Sequence, residues 1–195
     1  MSNLARSFAA AALAAAVLAP WAPPVFAQEA AAPPTAEAKE AERNARMQMA
    51  QTALDKLYRV QPEARASVEK ASGYAVFDVD SIYAVLFVGQ KGKGVLFDNA
   101  THKPVFMQSS RVGTGPGVGK QRTFQVFVFK SKSAMDQFVA VGDAGADVGA
   151  SVSTGTDGMV RSFNPAIDIY QIPESGMAVQ ASWGGTVYTV DKNLQ

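Results

Sequence analysis

Residues 111 to 121 read RVGTGPGVGKQ, with glycine at every second position, Gly113, Gly115, Gly117 and Gly119, and Lys120 after the last. Glycine-rich runs that end in lysine suggest a phosphate cradle. The spacing fails that test at both ends. A G-x-x-x-x-G-K-[ST] loop ending on Gly119 and Lys120 requires glycine where Thr114 stands and a hydroxyl where Gln121 stands. The dinucleotide pattern G-x-G-x-x-G fails at Val118 and again at Lys120. Two is the period of a β-strand, so the glycines project to one face and leave it as bare backbone. Such a face admits a helix or an aromatic ring at close range, or lets the sheet bend sharply. Pro116 lacks an N–H, so the stretch is expected at an edge or a bulge.

The segments around it carry the same signature. GYAVFDV, SIYAVLFVG, KGVLFD, KPVFMQSS and RTFQVFVFK are β-branched and aromatic runs divided by turn residues. They read as a meander in which GQKGKG (89 to 94) and DNATHK (98 to 103) make tight connections. IYAVLFV (82 to 88) is apolar on both faces, which predicts a central strand covered on each side. The expected fold is therefore α+β, a strongly curved, mostly antiparallel sheet that is either barrel-like or sandwiched by helices. VRSFNPAIDIYQI, GMAVQASWG and TVYTV add strand patterns near the C-terminus.

Helices precede and interrupt this sheet. From Thr35, a suitable cap, AEAKEAERNARMQMAQTALDKLY is rich in helix formers, and Met47, Ala50, Leu54 and Leu57 form one apolar stripe. Pro62 ends that helix and suits the first turn of a short second one reaching Lys70. SKSAMDQFVAVG predicts a third, with Ser133 and Asp136 as its capping pair and Gly142 as its stop. Residues 142 to 158 read equally as helix or loop.

The N-terminus has the layout of an export signal. Arg6 precedes the apolar run Phe8 to Ala19, and PWAPPVFA supplies small residues before a cleavage point after Ala27. As a helix the run spans roughly 18 Å at about 1.5 Å per residue, short of a bilayer core of about 30 Å. The expectation is a cleaved leader at 1 to 27, a flexible linker at 28 to 35 and a single domain at 36 to 195, located in the periplasm or secreted, with no membrane-spanning segment. An uncleaved anchor is the alternative.

Composition narrows the chemistry. The chain has 18 Lys and Arg against 17 Asp and Glu, and loss of Arg6 with the leader makes the signs equal. That balance argues against nucleic acid as the partner. With no cysteine, disulfides, thiolate metal sites and cysteine nucleophiles are excluded. His102 is the only histidine and lies in a predicted turn, so a Ser/His/Asp triad would have to be built there. Asp143, Asp147 and Asp157 offer oxygen ligands without the spacing of a calcium loop. No cofactor or metal is expected. A hydrolase built on carboxylates would need a deep cleft lined by two of them.

The cations are the more suggestive feature. Lys91 and Lys93 share a predicted hairpin tip, Lys120 and Arg122 share a strand face after the glycines, and Arg111 precedes them. Lysines at hairpin tips serve solubility and edge protection. The functional alternative is contact with anionic headgroups.

From Ala53 onward the succession ALDKLY, KASGYAVFDVD, GQKGKGVLFD, QRTFQVFVFKSKSAMDQF, GADVGASV and GMAVQASWGGTVYTV resembles the SYLF-domain family. The resemblance implies a non-enzymatic domain that binds anionic phospholipid, here in the cell envelope. It transfers no residue role by position. A scaffold module with an envelope protein partner is the second reading, in keeping with neutral charge and absent catalytic motifs.

Overall fold

Two strands of 26 residues each, β1 (Gly73–Asp98) and β2 (Pro104–Phe129), form one antiparallel ribbon that organises everything else. They belong to a computed structural model that describes residues 34–143, 153–154, 159–161, 164–180 and 186–195. The expected leader lies outside those residues, as do most of the linker and most of 142 to 158, including Asp147 and Asp157.

The ribbon is far longer than an ordinary strand pair of about 3–10 residues, and it accommodates its length by folding in half. Pairing runs Ile82↔Lys120, Tyr83↔Gly119, Ala84↔Val118 and Val85↔Gly117, then shifts, resuming at Phe87↔Thr114. Leu86 sits in the resulting bulge. Val85 beside it has φ 57°, a left-handed conformation that a β-branched residue adopts at a cost of about 1–3 kcal/mol. Beyond the bulge the two halves of β1 meet on their inner face. A Cβ on Gly94 would lie 2.3 Å from Phe77 Cδ1, and one on Gly92 would lie 3.0 Å from Val79 Cγ2. Bare backbone at Gly92 and Gly94 is what lets the halves close.

Among the described residues the sheet has six strands in the order β1-β2-β5-β4-β3, with β6 also on β2. Here β3 is Ser153–Thr154, β4 Met159–Arg161, β5 Ile167–Gln180 and β6 Val187–Val190. Every pairing among the described residues is antiparallel, and among them β1 pairs with β2 alone. The fold is thus α+β with a curved antiparallel sheet, as expected, and the described strands do not close into a barrel.

Two expectations need correction. The runs read as separate strands are continuous, because GQKGKG does not turn: Gly89, Gln90, Lys91, Gly92, Lys93 and Gly94 pair in register with Val112 through Met107. The only turn of the ribbon is at 99 to 103, where Asp98 Oδ1 accepts from the amides of Ala100 and Thr101. IYAVLFV is likewise not covered on both sides. Tyr83 and Val88 are buried, whereas Ile82, Val85, Leu86 and Phe87 face solvent.

Helices cover the sheet unevenly. In α1 (Ala36–Val60) Thr35 caps the start through Ala38 N, and Ala50, Ala53, Leu54 and Leu57 form the buried stripe. Met47, placed in that stripe by its spacing, is 38% exposed. With α2 (Ala64–Lys70), α1 buries the outer face of the ribbon ends, where Val76, Val95, Phe106, Phe124, Val126 and Val128 lie. On the inner face α3 (Lys132–Asp143) packs Met135 and Phe138 among Phe77, Met107, Phe127, Phe129 and Tyr188. Ser131, rather than Ser133, caps α3, its hydroxyl accepting from Ala134 N at 3.3 Å.

Candidate functional site

Residues directly opposite in an antiparallel pair share a face, so the register assigns every side chain of the bend. On β2 the even positions Val112, Thr114, Pro116, Val118, Lys120 and Arg122 are exposed on the outer face. Their partners on β1 are Asp80, Ile82 and Ala84 before the bulge and Phe87 and Gly89 after it, and the same face continues through Lys91 and Lys93 opposite Ser110 and Gln108. The bulge shifts the parity of β1 from even to odd, and exposure follows that shift. This is the face that α1 and α2 cover at the ribbon ends and that stays open at the bend. Its centre is apolar: Leu86 is 66% exposed, Phe87 49%, Ile82 49%, Val112 76% and Val118 69%, and Val85, which pairs with Gly117 at the edge of the bulge, is 69% exposed beside them. Isolated exposed apolar residues are ordinary, but a contiguous group marks an interaction surface.

The five predicted cations divide around this outcrop. Lys91 lies beyond one end and Lys120 flanks the other, directly opposite Ile82, both exposed, and neither has an ion-pair partner among the described residues. Lys93 shares their face but its Nζ is 2.9 Å from Glu42 Oε1 of α1. Arg122 is committed to Asp78, with Nε donating to Oδ1 at 2.8 Å and Nη2 to the second oxygen. That pairing raises the guanidinium pKa further above its already high value. Arg111 is half-buried on the opposite, glycine-bearing face, across from Gln90. The structure therefore brings Lys91, Lys93, Lys120 and Arg122 to one face and excludes Arg111. Sequence reading missed the apolar outcrop itself, whose alternation-free run looked like a buried strand.

A polar cleft of about 440 Å³ adjoins the outcrop, lined by Asp78, Asp80, Lys91, Lys93, Ser109 and Thr189 among others. It does contain two carboxylates, the condition set for a hydrolase. Asp78, however, accepts a bidentate contact from Arg122, which engages both of its oxygens. Among the described residues no three His, Cys, Asp or Glu come together as metal ligands. No helix among them is long and apolar enough to cross a membrane.

Glu42 links the surface to the interior. Burial pushes its carboxyl pKa upward, but hydrogen bonds from Lys93 and Arg46 outweigh that and hold it below its ordinary value. Arg46 donates to Glu42 at 3.0 Å, to the Met107 carbonyl at 2.9 Å and to Asp191 at 2.8 Å. Gln108 completes the group by donating to Asp191 at 2.7 Å.

Fold and surface together define an α+β protein with an amphipathic β-ribbon, apolar at its bend and cationic on either side. No protein-family model matches the chain. It is similar to Beta cell expansion factor A of Aeromonas veronii, 37% identical over 158 residues, which cover 80% of this chain and 60% of the relative. The chain thus spans about 60% of the length of that curated relative.

Proposed function

We propose that this protein is an exported, non-enzymatic SYLF-type protein whose outer ribbon face binds membranes of anionic phospholipid. One observation carries the reading: a contiguous apolar outcrop lies between Lys91 and Lys120 on a single exposed face. Proteins that lie on a bilayer combine these two elements, apolar area for the acyl boundary and cations for the headgroups. Each lysine near an anionic surface contributes on the order of 1 kcal/mol, within a Debye length of about 8 Å at physiological salt. The order of sequence motifs favours the SYLF assignment, and the leader pattern favours an envelope location.

Co-sedimentation with vesicles tests the reading. The protein should pellet with vesicles rich in phosphatidylglycerol, less with pure phosphatidylcholine, and progressively less as salt rises. Equal pelleting with both, indifferent to salt, would refute headgroup recognition.

A further inference from the structure

The bulge at the bend is built in a way that the pairing of two strands does not require. Strict alternation would turn one of every two residues inward, yet Val85, Leu86 and Phe87 are consecutive and all exposed, at 69%, 66% and 49%. Val85 stands at φ 57°, where glycine or asparagine relieves the strain and valine suffers it. What valine adds at that position is apolar surface.

We propose that Leu86 and Phe87, with exposed Val85 beside them, form a wedge that enters the acyl boundary of the bilayer, while Lys91 and Lys120 stop at the headgroups. The proposal deepens, and rests on, the membrane reading above. At the bulge β1 is an edge strand of the described sheet, with β2 and then β5 on one side only, and an outcrop on such an edge reaches only the shallow zone, about 5–10 Å deep, that amphipathic surface elements occupy. Ile82, Val112 and Val118 surround it on the same face and extend the apolar contact to its rim. Lys91 and Lys120 then fall at the level where the polar headgroups begin. The same charges disfavour a second copy of the chain as the occupant. A two-fold contact through the outcrop would bring the lysines of one copy toward those of the other, with exposed Asp80 as the acid on that face set against Lys91 and Lys120 together.

The chain has no cysteine, so a single reporter is easily placed. Leu86→Cys carrying an environment-sensitive NBD group is mixed with phosphatidylglycerol vesicles, beside Ala100→Cys, labelled alike in the turn at the far end of the ribbon. The label at 86 should brighten several-fold, shift to the blue and become shielded from an aqueous quencher, while the label at 100 should not change. Pelleting with a label at 86 that stays fully quenchable overturns the wedge and leaves surface binding intact. Failure of the unlabelled protein to pellet overturns the membrane reading, and the wedge with it. A blue shift that rises with protein concentration in the absence of vesicles overturns it in favour of self-association. Leu86→Ser/Phe87→Ser supplies a second readout. Both side chains are exposed, so the melting temperature should hold while vesicle affinity falls at least tenfold, and unchanged affinity in the folded variant overturns the proposal.

Discussion

The Gln90 side-chain amide donates to the Tyr83 hydroxyl at 3.2 Å, although the two residues stand seven apart in one strand. In a straight strand seven residues extend roughly 23 Å at about 3.3 Å each, so this contact exists only because β1 doubles back. Tyr83 pairs with Gly119 and is 5% exposed, so the glycine face of β2 lies beside its ring. The bond pins the bend from inside while the bulge opens it outside. Tyr83→Phe keeps the ring and removes the acceptor, and should lower stability by about 0.5–1.5 kcal/mol in urea unfolding. No change would mean that packing alone fixes the bend.

Gly94→Ala tests the closure of the two halves more severely. The new methyl would lie 2.3 Å from Phe77 Cδ1 and 2.7 Å from the Val76 carbonyl oxygen. One neighbour is backbone and the other a fully buried ring, so neither can swing aside. Overpacking of this kind costs about 1–3 kcal/mol. Thermal unfolding should show it as a lowered melting temperature, whereas an unchanged value would contradict the doubled ribbon.

Arg46 and Asp191 form an ion pair in which each side chain is only 5% exposed. Removing one partner leaves the other charge buried, which costs about 3–5 kcal/mol. Asp191→Asn should therefore destabilise strongly in urea unfolding. The double variant Arg46→Met/Asp191→Leu should lose less than the single one, because neither member of the buried pair is left without the other and Glu42 keeps Lys93. A double variant worse than the single would point to Glu42 and Gln108 as the costlier losses.

Glu42 makes stability sensitive to acid. Its folded pKa lies below the ordinary value of about 4.5, so its stabilising contribution is complete above that value and disappears as pH falls through the lowered one. Glu42→Gln should remove part of the fall in melting temperature seen below pH ~4.5. It should also release Lys93 and tighten binding to anionic vesicles at neutral pH. Parallel melting curves for the two proteins across that range would contradict the assignment.

Much of this architecture is legible in residue order because the signals are local. Thr35 caps and Pro62 divides the helices by chemistry that depends on a few neighbours, and period-two glycines declare a strand with a bare face. The doubled ribbon is harder to read. Gly89, Gly92 and Gly94 carry turn character, and only the register shows that they remain paired and serve close approach instead. The outcrop was hidden for a similar reason: an unbroken apolar run looks the same whether it is covered on both sides or pushed outward by a bulge. The candidate cations were found by type and strand parity. Their separation into free Lys91 and Lys120, against engaged Lys93 and Arg122, depends on where α1 docks and on Asp78. That information belongs to tertiary contact.

The central claim is that anionic membranes meet the face bearing Lys91 and Lys120, and paired charge reversals test it most directly. Lys91→Glu/Lys120→Glu is compared with Lys70→Glu/Lys103→Glu, which changes net charge equally at exposed positions elsewhere. Affinity for phosphatidylglycerol vesicles, measured at fixed salt, should fall at least tenfold for the first pair and only slightly for the second. Equal losses for both pairs would show that net charge, and not this face, governs binding, and would contradict the account.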